Sequence, residues 1–171
     1  MQSGNIYYAK QDDLVVLKFV GQIRYTLGDS YRISASLDTF LNRLFDKKDF
    51  RHVVIDLTEA DTIDSTNLGL LARVARFTKS EFGTIPTILV QSDDIYATLD
   101  SVGFNQVFRI LSRTDSDHGT FEPVAAGKKS EDELARMVLD AHKQLVSLNS
   151  KNRDMFKNVI DLLEKRMGDK N

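Results

Sequence analysis

The chain has 171 residues, with 23 Lys and Arg against 25 Asp and Glu, 42% hydrophobic side chains, no Cys, no Trp and two Pro. That is the composition of one compact domain with an appendage. The lack of Cys excludes disulfides, thiolate metal sites and Cys nucleophiles, and it fits a reducing, cytoplasmic setting. A formal charge of −2 argues against nucleic-acid binding, and there is neither an apolar run of about 18 residues nor a basic-then-apolar leader to suggest a membrane span or signal peptide. The charge is unevenly shared: residues 1–127 carry 13 basic and 17 acidic side chains, residues 128–171 carry 10 and 8.

Leu14 to Val20 is a β-branched apolar run closed by Gly21 and reads as a buried strand, with Ile6 to Ala9 as its hairpin partner. Tyr31, Ile33, Leu37, Phe40, Leu41, Leu44 and Phe45 recur at three- and four-residue spacing and predict an amphipathic helix. Val53 to Leu57 is the next strand, running into a polar, acidic loop from Thr58 to Thr62. A second helix begins near Ser65 or Thr66, among the capping residues Asp64, Ser65 and Thr66, and Leu68, Leu71, Val74, Ala75 and Phe77 form its inner face up to Gly83. Thr87 to Val90, a short helix from Ile95 to Val102, and a last strand from Val107 to Ile110 complete a β-β-α-β-α-β-α-β order. This predicts an α/β domain over residues 1–111, with four to five mostly parallel strands covered by helices.

Residues 112–129 lack a period and read as a linker. Ser130 and Glu133 then form a capping box, and residues 130–167 read as a helical extension. Leu134, Val138, Ala141, Leu145, Leu148, Asn152, Met155, Val159, Leu162 and Arg166 alternate four and three apart, a heptad seam. The extension is either one helix of about 57 Å at ~1.5 Å per residue or a hairpin broken across the polar patch Ser147 to Asn152.

No constellation for catalysis stands out. His52, His118 and His142 share no metal-ligand spacing and each reads as a solvated side chain; neither a zinc site nor a Ser-His-Asp triad is expected. Gly127-Lys128-Lys129-Ser130 has the end of a phosphate loop, but Glu122 stands where the first Gly belongs. No Gly-x-Gly-x-x-Gly occurs. Asp56 resembles a receiver phospho-acceptor only by position, since no carboxylate follows the strand ending at Val20 until Asp29; it reads as a strand-end residue bonding the next loop. A cofactor-dependent enzyme is therefore not expected, and the chain is expected to need neither metal nor cofactor. Ser65, at a helix start, has its hydroxyl close to free backbone amides, where a phosphate is accommodated by the helix dipole; the plainer reading is that Ser65 or Thr66 caps the helix.

The segment Val53 to Leu57, the acidic Glu59 to Asp61, and Asp64-Ser65-Thr66-Asn67-Leu68-Gly69-Leu70 resembles the STAS domain family of bacterial anti-sigma factor antagonists, whose pattern is an apolar strand, an acidic loop and Asp-Ser-Ser-Gly-Leu-Gly-Leu. Gly21 and Leu99 to Phe104 extend the resemblance over about residues 6–111. Thr66 and Asn67 depart from the pattern, and the heptad tail lies outside the family core. The resemblance implies a STAS-like sheet and a non-enzymatic partner switch, in which unphosphorylated protein binds a cognate anti-sigma factor/serine kinase. Ser65 would be the phospho-acceptor and a PP2C-type phosphatase would reset it. Asp61, Ile63, Asp64, Ser65, Thr66, Asn67 and Leu68 would form the partner surface, and Asp64 would stay unmodified while positioning the hydroxyl. The Asp-Ser-Thr-x-Leu-Gly-Leu-Leu form is most similar to antagonists in switches that control motility and biofilm. A second expectation makes the domain a scaffold whose residues 130–167 self-associate or bind another signalling protein.

Overall fold

A computed structural model describes residues 4–24, 31–112 and 120–168. Strands β1 (Asn5–Gln11) and β2 (Leu14–Ile23) form a hairpin, followed by helix α1 (Tyr31–Lys47), β3 (His52–Ile63), α2 (Ser65–Phe82), β4 (Thr87–Val90), α3 (Asp93–Ser101) and β5 (Arg109–Ser112). A short strand β6 (Glu122–Pro123) precedes two further helices, α4 (Glu131–Val146) and α5 (Ser150–Gly168). One mixed sheet runs in the order β5-β4-β3-β2-β1-β6. The pairs β2–β3, β3–β4 and β4–β5 are parallel, while β1 pairs antiparallel with β2 and β6. Among the described residues the sheet thus has six strands, not four to five. Glu122–Pro123, inside the stretch expected as linker, adds an edge strand beside Tyr7 and Tyr8, and the Tyr8 hydroxyl donates to Glu122 Oε2 at 3.0 Å.

Alternation sets the inner face of β2. Val15, Leu17, Phe19 and Ile23 are buried, every second residue as a pleated strand requires. The same alternation explains the main difference from the expected boundaries. Residues 58–63 continue β3, pairing Val20 with Glu59, Gly21 with Ala60 and Ile23 with Ile63 across two register shifts. A parallel neighbour supplies backbone partners that a polar stretch lacks alone, and Ala60 and Ile63 turn inward while Glu59 forms an ion pair with Lys18. At the other end, Val107 is not in a strand: Phe104–Gln106 is a 3₁₀ turn and the Phe108 amide bonds Phe104 O, so β5 starts at Arg109.

The tail is a helical hairpin. The capping box opens α4, with Glu133 N donating to Ser130 Oγ at 3.2 Å and Ser130 N to Glu133 Oε1 at 3.1 Å. Leu134, Met137, Ala141 and Leu145, at helical spacing, are buried in the same core as the sheet. The turn is fixed by Asn152, fully buried, whose Nδ2 donates to Leu145 O and to Val102 O, each at 2.8 Å. The heptad seam does not run through α5. Of the seam, Asn152 is buried, but beyond it Phe156, off the seam, is buried while the seam residues Met155, Val159 and Leu162 are 46%, 38% and 69% exposed. Asp38 on α1 pairs with Arg73 on α2 (2.9 Å) and with Lys129 (2.8 Å), fastening the start of the tail to both helices.

Candidate functional site

The site is the junction between β3 and α2. Asp64 caps α2 in an extended conformation: its Oδ1 accepts from Asn67 N at 3.0 Å, and its own amide donates to Ile23 O at 3.0 Å, tying the helix start to β2. Capping thus falls to Asp64, and the hydroxyl of Ser65 is left for another use. Asn67, where the family pattern has Gly, is fully buried; its Nδ2 donates to Asp64 Oδ1 at 2.8 Å and its Oδ1 accepts from Ser34 Oγ on α1 at 3.1 Å. The Asp64 carboxylate therefore engages Asn67, the amide and side chain alike.

Ser65 Oγ lies 2.9 Å from Nε2 of His142 on α4, and His142 Nδ1 lies 2.7 Å from Val138 O. A carbonyl only accepts, so Nδ1 carries the proton, and in the neutral ring Nε2 accepts from the serine hydroxyl. The expectation of a solvated His142 is overturned: the residue is 4% exposed, with its ring edge-on to Phe156 at 5.5 Å. His52 is exposed, and His118 lies outside the described residues.

The expected partner residues divide in two. Asp61 is exposed and Asp64 and Ser65 are half-buried, while Ile63, Thr66, Asn67 and Leu68 are buried at 8%, 4%, 0% and 3% exposure. Helix α4 crosses α2 where a side chain is missing: a Cβ on Gly69 would sit 2.0 Å from Ala141 O. Only Gly permits such backbone approach. His142 is the residue the sequence pattern did not point to, and Gly69, a motif residue, carries a packing role the motif does not state. The available signal was His142 falling on the apolar face of α4 among Val138, Ala141 and Leu145.

Asp56, expected at a strand end, instead lies within β3; it is fully buried, and its Oδ1 accepts from Thr58 N (2.9 Å) and Thr58 Oγ1 (2.7 Å) of the same strand, which continues past the point where a loop was expected. Among the described residues no group of three or more His, Asp or Glu could hold a metal ion, and no helix is long and apolar enough to cross a membrane.

A model of the STAS domain matches residues 5–118. The chain belongs to the STAS family. Its STAS fold is similar to two solved structures of SpoIIAA. One is the Bacillus cell fate determinant in its phosphorylated form, at 11% identity and a TM-score of 0.52, covering 64% of this chain and 92% of that one. The other is the anti-sigma factor antagonist SpoIIAA in its unphosphorylated form, at 11% identity and a TM-score of 0.51, covering 66% of this chain and 89% of that one. At this identity the likeness is one of fold. No curated protein matches.

Proposed function

We propose that this STAS protein is an anti-sigma factor antagonist that works by partner switching, with Ser65 as its reversibly phosphorylated residue. One observation carries the reading: Ser65 stands at the first position of α2, in the family's motif, with its hydroxyl released from capping by Asp64. SpoIIAA, whose fold it shares, is an antagonist and is phosphorylated. In this reading residues 1–111 are the regulated unit, joined through 112–129 to the extension 130–167. The protein acts in the cytoplasm as a non-enzyme. Its unphosphorylated form binds an anti-sigma factor/serine kinase, and a PP2C-type phosphatase resets it; the output suggested by the motif is motility and biofilm.

Phosphorylation adds about −1.5 to −2 charges beside Asp64, with Asp61 exposed nearby along the chain. Rejecting a partner ~100-fold takes about 2.7 kcal/mol, a modest demand when an uncompensated anion must be desolvated at an interface. Local charge is enough, without refolding the domain. The test is phosphate transfer from ATP in an extract of the native cell, mapped by mass spectrometry. Wild-type chain should be labelled at Ser65 and Ser65→Ala should not. Labelling elsewhere with Ser65 untouched would overturn the reading. The exposed Met155, Val159 and Leu162 on α5 favour a second reading, self-association through the extension; a monomeric mass in solution at high concentration would dismiss it.

A further inference from the structure

The Ser65 hydroxyl and the α4–α5 hairpin occupy common ground. His142 Nε2 sits 2.9 Å from Ser65 Oγ, and its ring is held from two further sides. Nδ1 is tied to Val138 O of its own helix, and the ring packs edge-on against Phe156 of α5. Nor can α4 recede without leaving α2, because its backbone at Ala141 rests directly on Gly69. A phosphoryl group on Ser65 brings three oxygens to a hydroxyl whose hydrogen-bonding side the imidazole already occupies. Asp64, the adjacent residue, adds like charge.

We propose that the α4–α5 hairpin is an intramolecular cover of the Ser65 face, latched by the Ser65–His142 hydrogen bond and seated on Gly69, that must lift before a phosphoryl group or a binding partner takes that face. Its regulatory meaning rests on Ser65 being the phospho-acceptor; the closed contact does not. Covered protein is unavailable to kinase and partner alike, so the apparent affinity of the unmodified chain is its intrinsic affinity scaled by the uncovered fraction. Linkage makes the effect reciprocal: whatever occupies the Ser65 face lifts the hairpin, and whatever holds the hairpin away favours occupancy. Phosphorylation then has two results, an altered charge at α2 and a released hairpin.

The experiment is backbone hydrogen–deuterium exchange on the full chain in four forms: unmodified, with phosphoserine inserted at 65 during translation, Gly69→Ala, and His142→Ala. Gly69→Ala is a wedge, since alanine favours the helix while its methyl group meets the Ala141 backbone. In the phosphoserine and Gly69→Ala chains, amides of residues 131–146 should exchange about 10-fold faster or more, with β2 and β3 protection unchanged. His142→Ala should give a smaller acceleration confined to the same helix. If phosphoserine leaves α4 exchange unchanged or slows it, the phosphate is held beneath the hairpin and the proposal is overturned. Should Gly69→Ala also lose strand protection, the phosphoserine and His142→Ala chains still decide. No kinase is needed, so a cell extract that never labels Ser65 would defeat the proposed function while leaving this result intact. Labelled Ser65 with slow α4 exchange would defeat the cover alone.

Discussion

Asn67 does with one side chain what separate residues usually share. Fully buried, it donates to the cap Asp64 and accepts from Ser34, so the start of α2 is fixed to α1 as well as to its own cap. Removing it leaves the buried Ser34 hydroxyl without its acceptor and takes from the Asp64 carboxylate one bond, while the amide of residue 67 still donates to it, at about 1–3 kcal/mol for a neutral group so stranded and about 1.5–3 for a hydrogen bond to a charge. Asn67→Leu should therefore cost about 2–4 kcal/mol, read as a lower urea midpoint at unchanged slope; a loss under about 0.5 kcal/mol would show that the network relaxes around the change. Asp64, Ser65 and Thr66 were all legible as helix-start residues, but which of them caps was not. The choice depends on Asn67 arriving three positions later and on His142 arriving 77 positions later, a separation no local pattern encodes. Gly69 was legible as a motif glycine, whereas the reason this chain needs it, the Ala141 backbone resting on it, is tertiary.

At the scale of elements, α4 has both a strong local signal and a tertiary one. The capping box was plain in the sequence because each of its bonds spans three residues. Glu133 is held below the usual carboxylate value of 4.5, chiefly by the bond it accepts from the Ser130 amide. A lowered folded value means the ionised form is favoured on folding, so its contribution is complete above the ordinary carboxylate range and is lost as pH falls through the depressed value. Amides in the first turn of α4 should accordingly lose protection on acidification below that range, and in Glu133→Gln, which does not titrate, this loss should be absent. The packing of α4 was half legible: Leu134, Ala141 and Leu145 stood in the predicted seam and are buried, but Met137 and His142, which complete the face, were not assigned to it. In α5 the phase was misread. Two apolar stripes coexist there, Met155, Val159 and Leu162 against Phe156, Ile160 and Leu163, and only contact with α4 selects the second. Since Leu145 is fully buried at that junction, Leu145→Ala should cost about 2–5 kcal/mol, measured by denaturant unfolding.

Over the whole molecule, the division into a domain and a tail is one of charge and sequence pattern, whereas the hydrophobic core ignores it. Leu134, Met137, Ala141, Leu145 and Phe156 belong to one buried cluster with Leu17, Phe19, Leu57 and Leu71, and Gly127 is seated on α1, its amide donating to Ser36 Oγ at 3.0 Å. The α/β order of the sheet was readable because each crossover is a local strand–helix–strand pattern. The sixth strand and the docking of the hairpin were not, since a two-residue edge and a helix–helix crossing depend on surfaces far apart in the chain. Deleting residues 128–171 tests which account governs stability. An appendage that merely hangs from the domain would leave the melting temperature of residues 1–127 where it was. A hairpin that completes the core takes with it several side chains worth roughly 1.5–3 kcal/mol each when buried and exposes the face of α2 around Gly69 and Ala72. With about 2–4 °C of melting temperature per kcal/mol at this chain length, the truncated chain should melt at least ~6 °C lower, and light scattering should show it associating through the bared face. An unshifted melt with a monomeric mass would mean that the covered face of α2 is stable in water, and that the hairpin is held there by weak contacts alone.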